Sequence, residues 1–141
     1  MSDFYKYFKE NMDALNLPAP ESLFGSTQTA LGTINAMLIF HDKFGPRVTV
    51  LEMIGAGTNL ERLATVGAMQ VAYYAGAAIG SLAVATGRTL AGGTSLSDVL
   101  FEASRFGLKR PWLAPLLHRM PGIYDARVSR RRYYKHYGVA Q

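Results

Sequence analysis

The sequence predicts an all-α protein, one domain of 141 residues. Three features predict it. Apolar residues return at helical spacing near both ends, two long stretches carry no charge, and the one strand-like run has no partner strand elsewhere in the chain. Three regions divide the domain: an amphipathic start (1–17), an apolar middle (22–92) and a basic end (95–141).

From Ser2 to Asn16, Phe4, Phe8, Met12 and Leu15 mark one helical face, and Pro18 and Pro20 end it. At this length a helix docked on a core is preferred over a surface-seeking membrane helix, because its polar face is acidic as well as basic. Residues 22–40 contain no charge, but they include Gln28, Asn35 and five Ser/Thr. They read as a buried helix or a membrane span. A charged turn is expected at His41–Arg47. Val48–Ile54 starts like a strand but reads better as a helical or extended connector.

The most informative stretch opens at Thr58-Asn59-Leu60-Glu61, which matches a capping box. The 25 residues that follow Arg62, Leu63 to Gly87, carry no charge, and fifteen of them are Gly, Ala, Ser or Thr. As one helix they would extend about 37 Å, more than a bilayer core. Arg88 suits the C-terminal dipole, and Gly92-Gly93 should stop the helix. Ala64, Ala68, Ala72, Gly76 and Gly80 then form a ladder at four-residue spacing, a nearly bare face that another helix can approach closely. With 22–40, the segment 59–91 is expected to make a helical hairpin able to enter a membrane. Gln70, Ser81 and Thr86 are the candidate polar lining of a path, with Glu61 near one mouth.

Ser95-Leu96-Ser97-Asp98 signals a further helix start. Its apolar face is Leu96, Val99, Leu100, Ala103 and Phe106, closing at Gly107. Pro111 fits the first turn of a short helix through Leu117, ending before Pro121.

Composition narrows the function. Hydrophobic residues make up 49% and charged ones 18%, which excludes a disordered polar chain. There is no cysteine, hence no disulfide framework, thiolate metal site or cysteine nucleophile. The net charge is −2 over residues 1–87 and +7 over 88–141, so the C-terminal end should meet an anionic partner. Trp112, Arg130, Arg131, Arg132, Tyr133, Tyr134 and Lys135 are read first as membrane-surface groups. A solvated tail ranks second. A nucleic-acid arm ranks third, because it leaves the apolar helix unexplained.

Gly55-Ala56-Gly57 lacks the third small residue and the acid of a dinucleotide fingerprint. His41, His118 and His136 have no metal-ligand spacing. No enzyme, cofactor or metal is expected. No apolar run follows Met1, so export without a Sec signal is the expectation.

The glycine-zipper segment, the missing cysteines and the basic aromatic end together resemble the small pore-forming effectors of bacterial type VI secretion. The likeness rests mainly on residues 22–92. It implies a toxin carried by a hexameric secretion-tube protein and neutralised in the producer by a cognate immunity protein. It also implies insertion as a homo-oligomer into a competitor's inner membrane, where a cation-permeable pore collapses the potential. The rival expectation is a soluble helical adaptor or binding module that docks a partner through the same small-residue face.

Overall fold

Phe8, Met12 and Leu15 are fully buried, and they fix how the first helix, α1 (Asp3–Ala14), lies on the rest of the chain. Asn16 ends it at φ 61°, a left-handed conformation that asparagine tolerates better than most residues. The computed structural model describes residues 3–87, 94–128 and 131–136, with the side chains at 133, 135 and 136 outside that description. Among the described residues there is no strand, and the all-α expectation holds.

A short helix, α2 (Glu21–Phe24), brings Phe24 to stack on Phe8 with ring centroids 4.7 Å apart. Ser26 caps α3 (Thr27–Phe44), its hydroxyl oxygen accepting from the Thr29 N–H at 3.1 Å. This helix runs through residues 41–44, where a turn was expected. His41 is buried, its carbonyl accepts from the Gly45 N–H at 2.9 Å, and the chain reverses only at Gly45, φ 98°. Thr49 then caps α4 (Val50–Gly55), accepting from the Glu52 N–H at 3.2 Å.

The membrane-length helix expected over 59–91 is not formed. The Thr58 hydroxyl donates to the Met53 carbonyl at 2.7 Å instead of capping, and residues Glu61–Val66 form a 3₁₀ helix. The long helix, α5 (Val71–Gly87), begins twelve residues later than predicted. Backbone pairing explains the delay. Thr49 and Gln70 form an antiparallel bridge, in which Val50 N–H donates to Met69 O at 2.8 Å and Val71 N–H to Val48 O at 3.0 Å. Leu51 N–H takes the Gly67 carbonyl at 2.8 Å, the acceptor that Val71 N–H would need in a continuous helix. The strand-like start of 48–54 therefore does find a partner, but only for one bridge. The expected stop at Gly92-Gly93, with Arg88 beside it, lies outside the described residues.

α5 is the axis of the fold. α1, α3, α6 (Leu96–Arg105) and α7 (Leu113–Arg119) all pack on it, as does the 3₁₀ turn Pro121–Ile123. The predicted capping box at Ser95 forms in full: Asp98 N–H donates to the serine hydroxyl at 3.2 Å, and Asp98 Oδ2 accepts from Ser95 N–H at 2.9 Å. The Ser95 N–H and hydroxyl, both donating to that carboxylate, hold it below its ordinary range. Val99 and Ala103 are buried as their spacing predicted, and α7 ends before Pro121 as its prolines predicted. No helix among the described residues is long and apolar enough to cross a membrane.

Candidate functional site

The small residues of α5 have a definite use. Gly76 lies under Leu116 of α7, and Gly80 lies under Ile123. A Cβ on Gly76 would collide with the Leu116 Cδ2 methyl, the movable end of a side chain. A Cβ on Gly80 would collide with Ile123 Cγ2 and sit 3.3 Å from the Ile123 carbonyl oxygen. The second contact is stiffer, because isoleucine branches at Cβ and the backbone follows immediately behind. Every residue of α5 from Tyr73 to Ala83 is buried. Such a helix, apolar around its whole circumference, needs a cover on all sides.

The predicted ladder is split. Ala72, Gly76 and Gly80 share α5, whereas Ala64 is exposed on the 3₁₀ helix and Ala68 on the turn that follows it. The bridge to Thr49 and Leu51 takes the backbone groups that would have carried the ladder onward. The four lining candidates do not share a face either. Glu61 is exposed outside α5, Gln70 is half-buried in the bridge, and only Ser81 and Thr86 belong to the helix. The Thr86 hydroxyl returns to the Leu82 carbonyl at 2.8 Å.

Ser81 leads to a network that sequence reading missed. The Asn11 side-chain N–H₂ donates to Ser81 Oγ and to the Ile123 carbonyl, both at 2.8 Å. Its Oδ1 accepts from the Arg131 guanidinium. One asparagine thus fastens α1, α5, the Pro121 turn and the C-terminal 3₁₀ helix (Arg131–His136) around a single buried point. The signal was present: Asn11 stands at i, i+3 and i+7 from Phe8 and Phe4, a polar residue on the buried face of α1.

The reading of the basic end as a membrane surface needs correcting at Arg131, which is 9% exposed. Burial pulls its guanidinium below the ordinary arginine range, against the opposing influence of Asp125. Gly122 admits it: a Cβ there would lie 2.8 Å from Arg131 Cβ and 2.9 Å from a Tyr134 ring carbon. Tyr134 is half-buried and its hydroxyl oxygen accepts from Gly122 N–H at 3.2 Å. Trp112 is half-buried beside His41, ring centroids 4.8 Å apart. Arg132 is exposed. Arg130 and the side chains of Tyr133 and Lys135 lie outside the described residues.

Three other cations of this half meet carboxylates. Arg110 pairs with Asp42 at 3.0 Å, Arg127 with Asp125 at 3.0 Å and Arg105 with Glu102 at 3.2 Å. No group of three or more metal-ligating side chains occurs among the described residues. No protein-family model, curated protein or solved structure matches the chain.

Proposed function

We propose that this chain is a membrane-permeabilising toxin, and that the fold described above is its sheathed form. The observation that carries the reading is α5: a helix with no ionised side chain, built from small residues and enclosed on every side by amphipathic segments. Its 17 residues are too short to cross a bilayer. Residues 63–70 are also uncharged, and joining them to α5 restores the 25-residue helix and the complete ladder from Ala64 to Gly80. Release of the bridge at Thr49–Gln70 and of the Asn11 network is the change that this requires.

In that open form, helices meeting along the ladder approach closely and leave a narrow path, which favours small monovalent cations over metabolites. Gln70, Ser81 and Thr86 line it, with Glu61 at its mouth. The exposed Arg132, together with Arg130 and Lys135 near it in sequence, engages anionic lipid. A homo-oligomer in a competitor's inner membrane, a secretion-tube carrier and an immunity protein in the producer complete the proposal.

The binding-module alternative now rests on different residues. Leu116 and Ile123 occupy the small-residue face, so a partner would have to use exposed apolar side chains such as Leu51 and Phe101, 58% and 66% accessible.

Purified full-length protein added to phosphatidylglycerol-containing vesicles tests the two readings. A potential-sensitive dye should report depolarisation while an entrapped large dye stays inside. The double variant Gly76→Leu/Gly80→Leu should bind those vesicles but no longer depolarise them. A wild-type protein that leaves the potential intact refutes the toxin reading, and simultaneous loss of both dyes refutes the narrow path.

A further inference from the structure

A cavity of about 370 Å³ opens between the C-terminal end of α3, the start of α5 and α7. Its size lies at the lower end of the range for small-molecule sites. Among the described residues, five buried side-chain nitrogen or oxygen atoms have no hydrogen-bond partner, and four of them belong to residues lining this cavity. They are both ring nitrogens of His41, the Tyr73 hydroxyl and Trp112 Nε1. His41 is 7% and Tyr73 2% exposed. Leaving such groups unpaired costs about 1–3 kcal/mol each, and three of the four (Trp112 Nε1, the Tyr73 hydroxyl and one His41 nitrogen) can donate, which points to an occupant that accepts.

The lining also says what kind of occupant fits. Trp112 Nε1 can only donate, a neutral histidine donates through one nitrogen, and the tyrosine hydroxyl donates as readily as it accepts. Loss of hydration lowers the His41 pKa, which keeps the ring neutral at physiological pH. Arg119, exposed at the edge, is the one ionised group among the described lining residues, and no carboxylate is among them. The nearest acid in sequence, Asp42, is paired with Arg110. Gln70 adds one neutral amide, and the remaining wall is apolar, with the indole of Trp112, the Tyr73 ring, Pro46 and Pro115 among its residues.

We propose that this cavity is a binding site for a small organic carboxylate with a flat, apolar body. The ring lies against Trp112 and Tyr73, and the carboxylate accepts from the buried donors and from Arg119. This proposal stands independently of the membrane reading, since it needs only the sheathed fold.

The chain supplies its own reporter, because Trp112 is its only tryptophan. Benzoate, benzamide and benzylamine, which share a ring and differ in charge, are titrated into the full-length protein while indole fluorescence is followed. Benzoate should give a saturable change, and benzylamine none over the same range. Arg119→Gln, at an exposed position that leaves the core alone, should weaken benzoate about tenfold, the loss of one charge-assisted hydrogen bond, and leave benzamide unchanged. Tyr73→Phe should weaken benzoate and benzamide alike. Equal responses to benzoate and benzylamine, a linear response to both, or an Arg119→Gln variant that binds benzoate as the wild type does would each overturn the proposal and leave ordered water as the partner of the four groups.

Discussion

The two uncharged stretches look alike in sequence and have opposite fates. In the first, Gln28 and Asn35 are exposed on α3, Ile39 is 57% accessible, and Gly32 has open space where a Cβ would stand. In the second, α5 is enclosed, and its Gly76 and Gly80 are pressed against Leu116 and Ile123. Absence of charge is therefore a poor guide to depth in this molecule. Side-chain bulk separates the two better, because a helix of alanine and glycine lets several neighbours approach at once. A single buried asparagine then adds directional bonds to that non-directional contact.

The largest effect that would separate the two stretches is at their polar fastenings. Asn11→Ala strips partners from Ser81, the Ile123 carbonyl and the buried Arg131, so a loss of about 2–4 kcal/mol in urea unfolding is expected. The counterpart on α3 is local: the Thr33 hydroxyl donates to the Leu23 carbonyl at 2.7 Å, and Thr33→Val should cost about 1 kcal/mol. Equal losses would mean that Asn11 is no more central than an ordinary cap.

Glycine replacement should give a smaller effect with a change of sign. Gly32→Ala adds a side chain into open space and removes backbone freedom from the unfolded chain, for a gain of about 0.5–1 kcal/mol. Gly80→Ala drives a methyl into Ile123 and should lose about 1–3 kcal/mol despite the better helix propensity of alanine. Thermal unfolding of the two single variants checks this. A stabilised Gly80→Ala would show that the close approach of α5 to Ile123 contributes nothing.

Acid should act mildly, and through the α3 side. His41 ends its buried run, and α5 carries no group that titrates between pH 5 and 7. Burial holds the folded His41 below its ordinary value near 6.5, so the unfolded chain takes up the proton first as pH falls. Stability should be full above about pH 7 and decline from about 6.5 toward the depressed folded value, with a slope of no more than one proton. Asp98 and Asp125, both lowered by hydrogen bonds, act in a separate window below about pH 4. His41→Gln should flatten the upper decline. A decline that persists in that variant would place its origin elsewhere.

Much of this architecture was legible in local patterns. The buried face of α1, the capping box at Ser95, the apolar face of α6 and the end of α7 before Pro121 follow from spacing and capping chemistry within a few residues, and the structure reproduces each of them. Pro111, expected in the first turn of α7, instead precedes its N-cap Trp112. The candidate site was legible only in part. Gly76 and Gly80 were identified as a face for close contact, and they make one, but with α7 and the Pro121 turn of the same chain. Asn11 and Arg131, 120 positions apart, belong to one hydrogen bond that no local pattern announces.

By itself the sequence determined that the chain is helical, where α1 and α6 lie and where α7 ends, and that its second uncharged stretch accepts very close neighbours. Only the tertiary structure decided how long that helix is. The capping signal at Thr58 and the small residues after it favour a helix from position 59. Residues 48–51 compete for the same backbone groups, and the bridge they form with 67–71 wins. A hydrogen-bond donor or acceptor used in one pairing is lost to the other, and that choice between partners far apart in sequence is settled by what the folded chain brings together.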